Sequence, residues 1–100
     1  MNSWGVELAS NSAPGAQRVM DWNGGRGLFA ASATFGGGNV ALEFLGPDGV
    51  TWLPAPKAND FAAVSLTTAG GILFELPPGK IRANITTATA VYARADRIPY

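Results

Sequence analysis

Glu43 and Glu75 are the two carboxylates whose setting could support chemistry. Each falls at an outward position in a segment that alternates apolar and polar residues, so pairing of the two segments would make them neighbours. A glycosidase needs two carboxyl groups roughly 5–10 Å apart in a cleft. A chain of 100 residues seldom supplies that cleft, and the bland role of such charges is to keep an outer strand face soluble. Asp48 and Asp60 fall in loops, without the alternating Asp/Asn spacing of a calcium loop. There is no histidine and no cysteine, which removes the commonest general base, the commonest transition-metal ligand, the thiol nucleophile and any disulfide frame. Lysine can stand in as a base for serine, yet neither Lys57 nor Lys80 has Ser-x-x-Lys spacing beside it. Gly24-Gly25-Arg26-Gly27 and Gly36-Gly37-Gly38 are glycine-rich, but neither leads into a helix as a phosphate loop must, and they read as turns or bulges. Asn84-Ile85-Thr86 fits the glycosylation acceptor pattern but lies inside an expected strand. The expectation is a protein that is not an enzyme and holds neither metal nor cofactor.

Aromatic residues are the remaining candidates. Trp4, Trp22, Trp52, Tyr92 and Tyr100 have the side chains that line sugar sites and dominate subunit interfaces. Core packing is the bland reading for Trp22 and Trp52, because such rings bury so much area. Trp4 and Tyr100 sit near the two ends of the sequence, where chains are normally mobile, so large apolar residues there point to docking. The candidate interface set is Trp4, Trp22, Tyr92, Ile98 and Tyr100.

The elements that must carry these residues are strands. No long window shows helical apolar spacing, and 13 glycines and 7 prolines punctuate the chain every few residues. Expected strands run over 6–9, 16–22, 26–35, 40–45, 50–53, 61–67, 72–76, 81–86 and 89–95. The clearest turn is Gly46-Pro47-Asp48-Gly49, where proline pre-sets φ and Asp-Gly suits a tight reversal. Pro54 and Pro56 are expected to stop the ladder after it, since neither can donate a backbone hydrogen bond. About eight short strands at this spacing predict an all-β chain, a single-domain antiparallel β-sandwich spanning 1–100, with jelly-roll and immunoglobulin-like topologies both open. Residues 1–23 form an N-terminal segment available for docking or oligomer contacts.

Composition narrows the class. Seven basic and seven acidic side chains cancel with no basic run, so no nucleic-acid partner is expected. Charged residues make up 14% against about 25% in ordinary domains. A surface this sparsely charged is often covered by neighbours, which points to oligomerisation or docking, with an Ala- and Gly-rich monomer the equally weighted alternative. No stretch approaches the ~18 apolar residues of a membrane span, and the N-terminus lacks the basic-then-apolar order of a signal peptide. Synthesis in the cytoplasm, with no membrane partner, is the expectation.

Two segments, GGRGLFAASATFGGGNVALEFLGPDGVTWLPA and LTTAGGILFELPPGKIRANITTATAVYARADRI, resemble small all-β proteins from the structural gene clusters of tailed bacteriophages. The resemblance covers Gly24 to Ile98. It consists of a Gly-rich long strand, a Gly-Pro-Asp-Gly hairpin closing on aliphatic-Trp, a Leu-Pro-Pro-Gly turn before Ile-Arg-Ala, and a Thr/Ala-rich stretch before Val-Tyr-Ala. It implies a non-enzymatic virion protein, a capsid decoration (cement) subunit or a small head or tail accessory subunit, made in the host cytoplasm, with the major capsid protein or another virion protein as partner. Such proteins often act as homo-oligomers, with a trimer favoured, and the resemblance names no active residues. The alternative is a carbohydrate- or receptor-binding β-sandwich module of a virion fibre or tail.

Overall fold

The computed structural model describes residues 5–58 and 62–97. Among them are ten strands: β1 (Gly5–Ser12), β2 (Gly15–Ala16), β3 (Met20–Trp22), β4 (Gly25–Thr34), β5 (Asn39–Leu45), β6 (Trp52–Pro54), β7 (Ser65–Leu66), β8 (Gly70–Leu76), β9 (Gly79–Thr86) and β10 (Thr89–Arg97). The first sheet has the order β1-β10-β4-β8. The second has β2-β9-β5-β6, with β3 also on β9 and β7 also on β5. Every pairing is antiparallel.

The pairings resolve the topology that alternation left open. β1 meets β10, β2 and β3 meet β9, β4 meets β8, and β5 meets β6 and β7. The chain is therefore one long antiparallel hairpin with its tip between β5 and β7. Rolling that hairpin lays β10 beside β4 and β9 beside β5, which completes the two sheets. This is a jelly roll.

Alternation explains the core. Phe29 and Ala31 of β4, Val91, Ala93 and Ala95 of β10, and Phe74 and Leu76 of β8 point inward from the first sheet. Val40 and Leu42 of β5 and Ile81, Ala83 and Ile85 of β9 meet them from the second, as two packed sheets require. Leu8 and Val64 fill the flanks.

Three expected strands differ in the structure. The one over 16–22 is broken into β2 and β3 because Gln17 turns its side chain back, donating to the Ala13 and Gly15 carbonyls, while its N–H reaches Ala83 O at 2.8 Å. The one over 61–67 is reduced to β7 and a bridge between Pro56 and Ala63; residues 59–61 lie outside the described residues. Pro54 does not stop the ladder. It opposes Glu43 on the edge strand β6, where a missing N–H is tolerated, and Ala55 N–H still reaches Leu42 O at 2.9 Å.

The Gly-Pro-Asp-Gly turn closes as its residues dictate. Gly49 N–H donates to Gly46 O (3.0 Å) and Gly46 N–H to Thr51 O (2.7 Å). Asp48 Oδ1 accepts from the Val50 and Thr51 amides at 2.9 and 2.8 Å, and Asp48 Oδ2 accepts from the Thr51 hydroxyl. The Thr51 hydroxyl first, then the two amides, lowers the Asp48 carboxyl from an ordinary 3.8 to about 2. A folded-state pKa held below the unfolded one stabilises the fold at pH above about 4, and that contribution disappears as pH falls through about 2. The Tm difference between wild type and Asp48→Asn should accordingly be constant above pH 4 and shrink towards zero near pH 2, as followed by circular dichroism. A difference that does not change over that range would show that the carboxylate is not held by these donors.

Candidate docking faces

The two sheets turn different surfaces outward. On the second sheet, the residues of β5 and β9 that alternate with the core positions are polar. Glu43 lies opposite Arg82, and Arg82 Nε donates to Glu43 Oε1 at 2.8 Å while Asn84 Nδ2 donates to Oε2 at 3.4 Å. Trp52 lies opposite Leu45, which shares Glu43's face, so its ring is brought outward and the Arg82 guanidinium stacks 4.3 Å from its centroid. The expectation of Trp52 in the core is corrected here: the turn register, rather than residue type, decides which way the ring points. The Arg82 and Glu43 side chains are 22% and 18% exposed, between a surface pair and a buried one. Arg82→Ala should cost about 1–2 kcal/mol, above the exposed-pair range and below the 3–5 of a fully buried pair. A double-mutant cycle with Glu43→Gln, read by urea denaturation, checks this, and a coupling near zero would reduce the pair to surface decoration.

The first sheet's outer face is different. Its cross-strand rows follow from register. Glu7, Arg94, Ala30 and Gly71 form one row, Asp96, Leu28 and Leu73 the next, and Tyr92 faces Ser32 on the other side. Small residues at Ala30 and Ser32 leave a depression of about 370 Å³, open to solvent and bordered by Tyr92, Glu7 and Arg94. Tyr92 is 51% exposed and Leu73 45%, two of the four large hydrophobic side chains most exposed among the described residues. The flanking charges are matched locally: Arg18 with Glu7 at 3.2 Å and Arg94 with Asp96 at 3.0 Å.

The other sequence-derived candidates separate. Trp22 was grouped with the interface residues, and the structure places it in the core, 4% exposed with its ring 5.0 Å from that of Phe74. Inward-facing alternation on β3 puts it there. Trp4, Ile98 and Tyr100 lie outside the described residues, as does Asp60. Glu43 and Glu75 stand on β5 and β8, in different sheets, so the strands that carry them do not pair and the carboxylates do not form a dyad. Lys80 pairs with Asp21 across β9 and β3. Among the described residues, no three His, Cys, Asp or Glu side chains gather as a metal site would need. The Gly46–Gly49 and Pro77–Gly79 turns, both prominent in the sequence, come together around a second cleft of about 240 Å³ lined by Phe44, Pro47, Pro77, Pro78 and Ile81.

Sequence reasoning missed Leu73, Leu28 and the small-residue hollow. The alternation of Leu73 with Ile72 and Phe74 was visible, but which set faces outward depends on the sheet that covers the other. No family model matches the chain, and searches of the curated proteins and of the solved structures found no match either.

Proposed function

We propose that this chain is a non-enzymatic bacteriophage structural protein, a capsid decoration subunit that works as a homo-oligomer and binds between shell subunits or to another virion protein. The observation that carries the reading is the outer face of the first sheet, a broad, shallow surface that carries the exposed Tyr92 and Leu73, a hollow over Ala30 and Ser32, and charges paired among themselves. Such a face suits contact with another protein surface more than capture of a small molecule, which needs an enclosing pocket. The resemblance over Gly24–Ile98 supplies the virion setting, and jelly rolls are a common architecture for capsid domains. Fold alone does not assign a role.

The reading predicts that the chain is found in purified virions at a copy number set by the shell's symmetry. Peptide mass spectrometry with quantification tests this. A few copies per particle would move the protein to the tail or a head fibre, and absence from clean particles would overturn the virion reading. A second reading draws on Trp52 beside Arg82, Glu43 and Asn84, an aromatic and hydrogen-bonding group of the kind that holds sugars. It casts the domain as a carbohydrate- or receptor-binding module of a fibre or tail. A glycan array separates the two, since binding lost on Trp52→Ala would favour the module.

A further inference from the structure

We propose that the outer face of the first sheet is where two copies of this chain pair about a two-fold axis. This deepens the homo-oligomeric part of the proposed function and rests on it. A two-fold joins one patch to the same patch on the partner, so the patch must contain its own complement. This one does. Tyr92 rises as a knob on β10, and the hollow over Ala30 and Ser32 of β4 lies beside it, walled by β1 and β10. At about 370 Å³ the hollow has ample room for an aromatic ring, and it is too open to enclose a free small molecule.

The remaining side chains of the face agree. Leu28 and Leu73, opposite each other on β4 and β8, extend the apolar strip away from Tyr92. Glu7 and Arg94, opposite each other on β1 and β10, border the hollow with opposite signs; their exposed pairs with Arg18 and Asp96 are weak enough for a two-fold to exchange them for contacts between the arginine of one copy and the glutamate of the other. Four strands spaced about 4.8 Å apart and some seven residues long give each copy a footprint of roughly 450 Å². Two such faces approach the roughly 1,000 Å² of the smallest specific interfaces. On the second sheet the Glu43–Arg82 pair is mostly covered, with Asn84 bonded to it, so among the described residues its charges are less free to exchange partners.

Sedimentation of the full chain from about 1 µM to about 500 µM tests the proposal, with a monomer–dimer equilibrium in the micromolar range expected for an interface of this size. Tyr92→Ala should weaken it about a hundredfold, since both copies lose a central aromatic. Ala30→Glu should abolish the dimer by filling the hollow. Within the sheet the new carboxylate lies opposite Arg94, so the fold tolerates it and circular dichroism should be unchanged. Val50→Ser, at the far turn, should leave the equilibrium as it is. A wild-type chain monomeric throughout, a trimer mass, or a dimer that survives both face variants would each overturn the proposal. Virion mass spectrometry reports on the other reading: absence from particles with the dimer intact would remove the virion role and leave the pairing.

Discussion

Gly38→Ala should leave the protein unfolded or destabilised by at least about 4 kcal/mol, most of what a domain of this kind has to lose. The cause is backbone against backbone. A Cβ at Gly38 would lie 1.9 Å from Thr86 O, 2.7 Å from Thr87 Cβ and 2.8 Å from Ala88 N. Those atoms belong to the tight connection between β9 and β10, where Ala88 N–H folds back on Thr86 O and Thr87 is held at φ +67°. That connection has little freedom to retreat, because Asn39, the next residue, is paired with Thr86. Gly37 is the control. Its φ of +85° disfavours a side chain, but nothing lies within 4 Å of its Cβ position. Gly37→Ala should cost about 1 kcal/mol of backbone strain and no more. Urea denaturation midpoints at constant m separate the two. Equal costs would mean that β5 and the β9–β10 connection are not in contact at Gly38.

The contrast between these neighbours shows where sequence reading stops. Gly36-Gly37-Gly38 is legible as a turn after a long strand, and so is the alternation of Ile81, Ala83 and Ile85 with Arg82 and Asn84. Those are local facts, set by turn chemistry and the two-residue period of a strand. That Gly38 is pressed against a turn some fifty residues later depends on rolling the hairpin, and no local pattern encodes it. The same limit governs the faces. Alternation divides Leu73 from Phe74 without saying which is buried. Only the packing of one sheet on the other gives Phe74 to the core and leaves Leu73 beside Leu28. Glu43 and Glu75 looked like possible neighbours for the same reason: hairpins were visible, strand order was not. The hollow beside Tyr92 is bounded by three strands far apart in sequence, so it becomes visible only once Glu7, Arg94 and Ala30 are known to share a row.

Trp22 and Trp52 carry that lesson to a measurement. Both read as core tryptophans, yet only Trp22 is one. Its ring is tilted 50° against that of Phe74, and it covers the Gly27 backbone so closely that a Cβ there would be 2.7 Å from Trp22 Cη2. Trp22→Ala should therefore cost about 3–5 kcal/mol, as a large aromatic removed from a close-packed interior does. Trp22→Phe should cost only about 1 kcal/mol. The indole Nε1 is buried with no hydrogen-bond partner among the described residues, and an unmatched buried donor costs about 1–3 kcal/mol. Removing it offsets much of the lost contact area. Urea denaturation of the two variants decides between packing and polarity at this site: equal losses would mean that the indole N–H is satisfied and that its bond contributes to stability. The oligomeric state supplies the second half of the argument. Trp22→Phe lowers the stability of the subunit without touching the outer face of the first sheet, so at equal folded fraction its self-association should match wild type. Tyr92→Ala should do the reverse, dispersing the dimer while leaving the midpoint in place at concentrations low enough for wild type to be monomeric. If both variants moved both quantities together, core and face would be one cooperative unit, and pairing would be part of folding rather than a step that follows it.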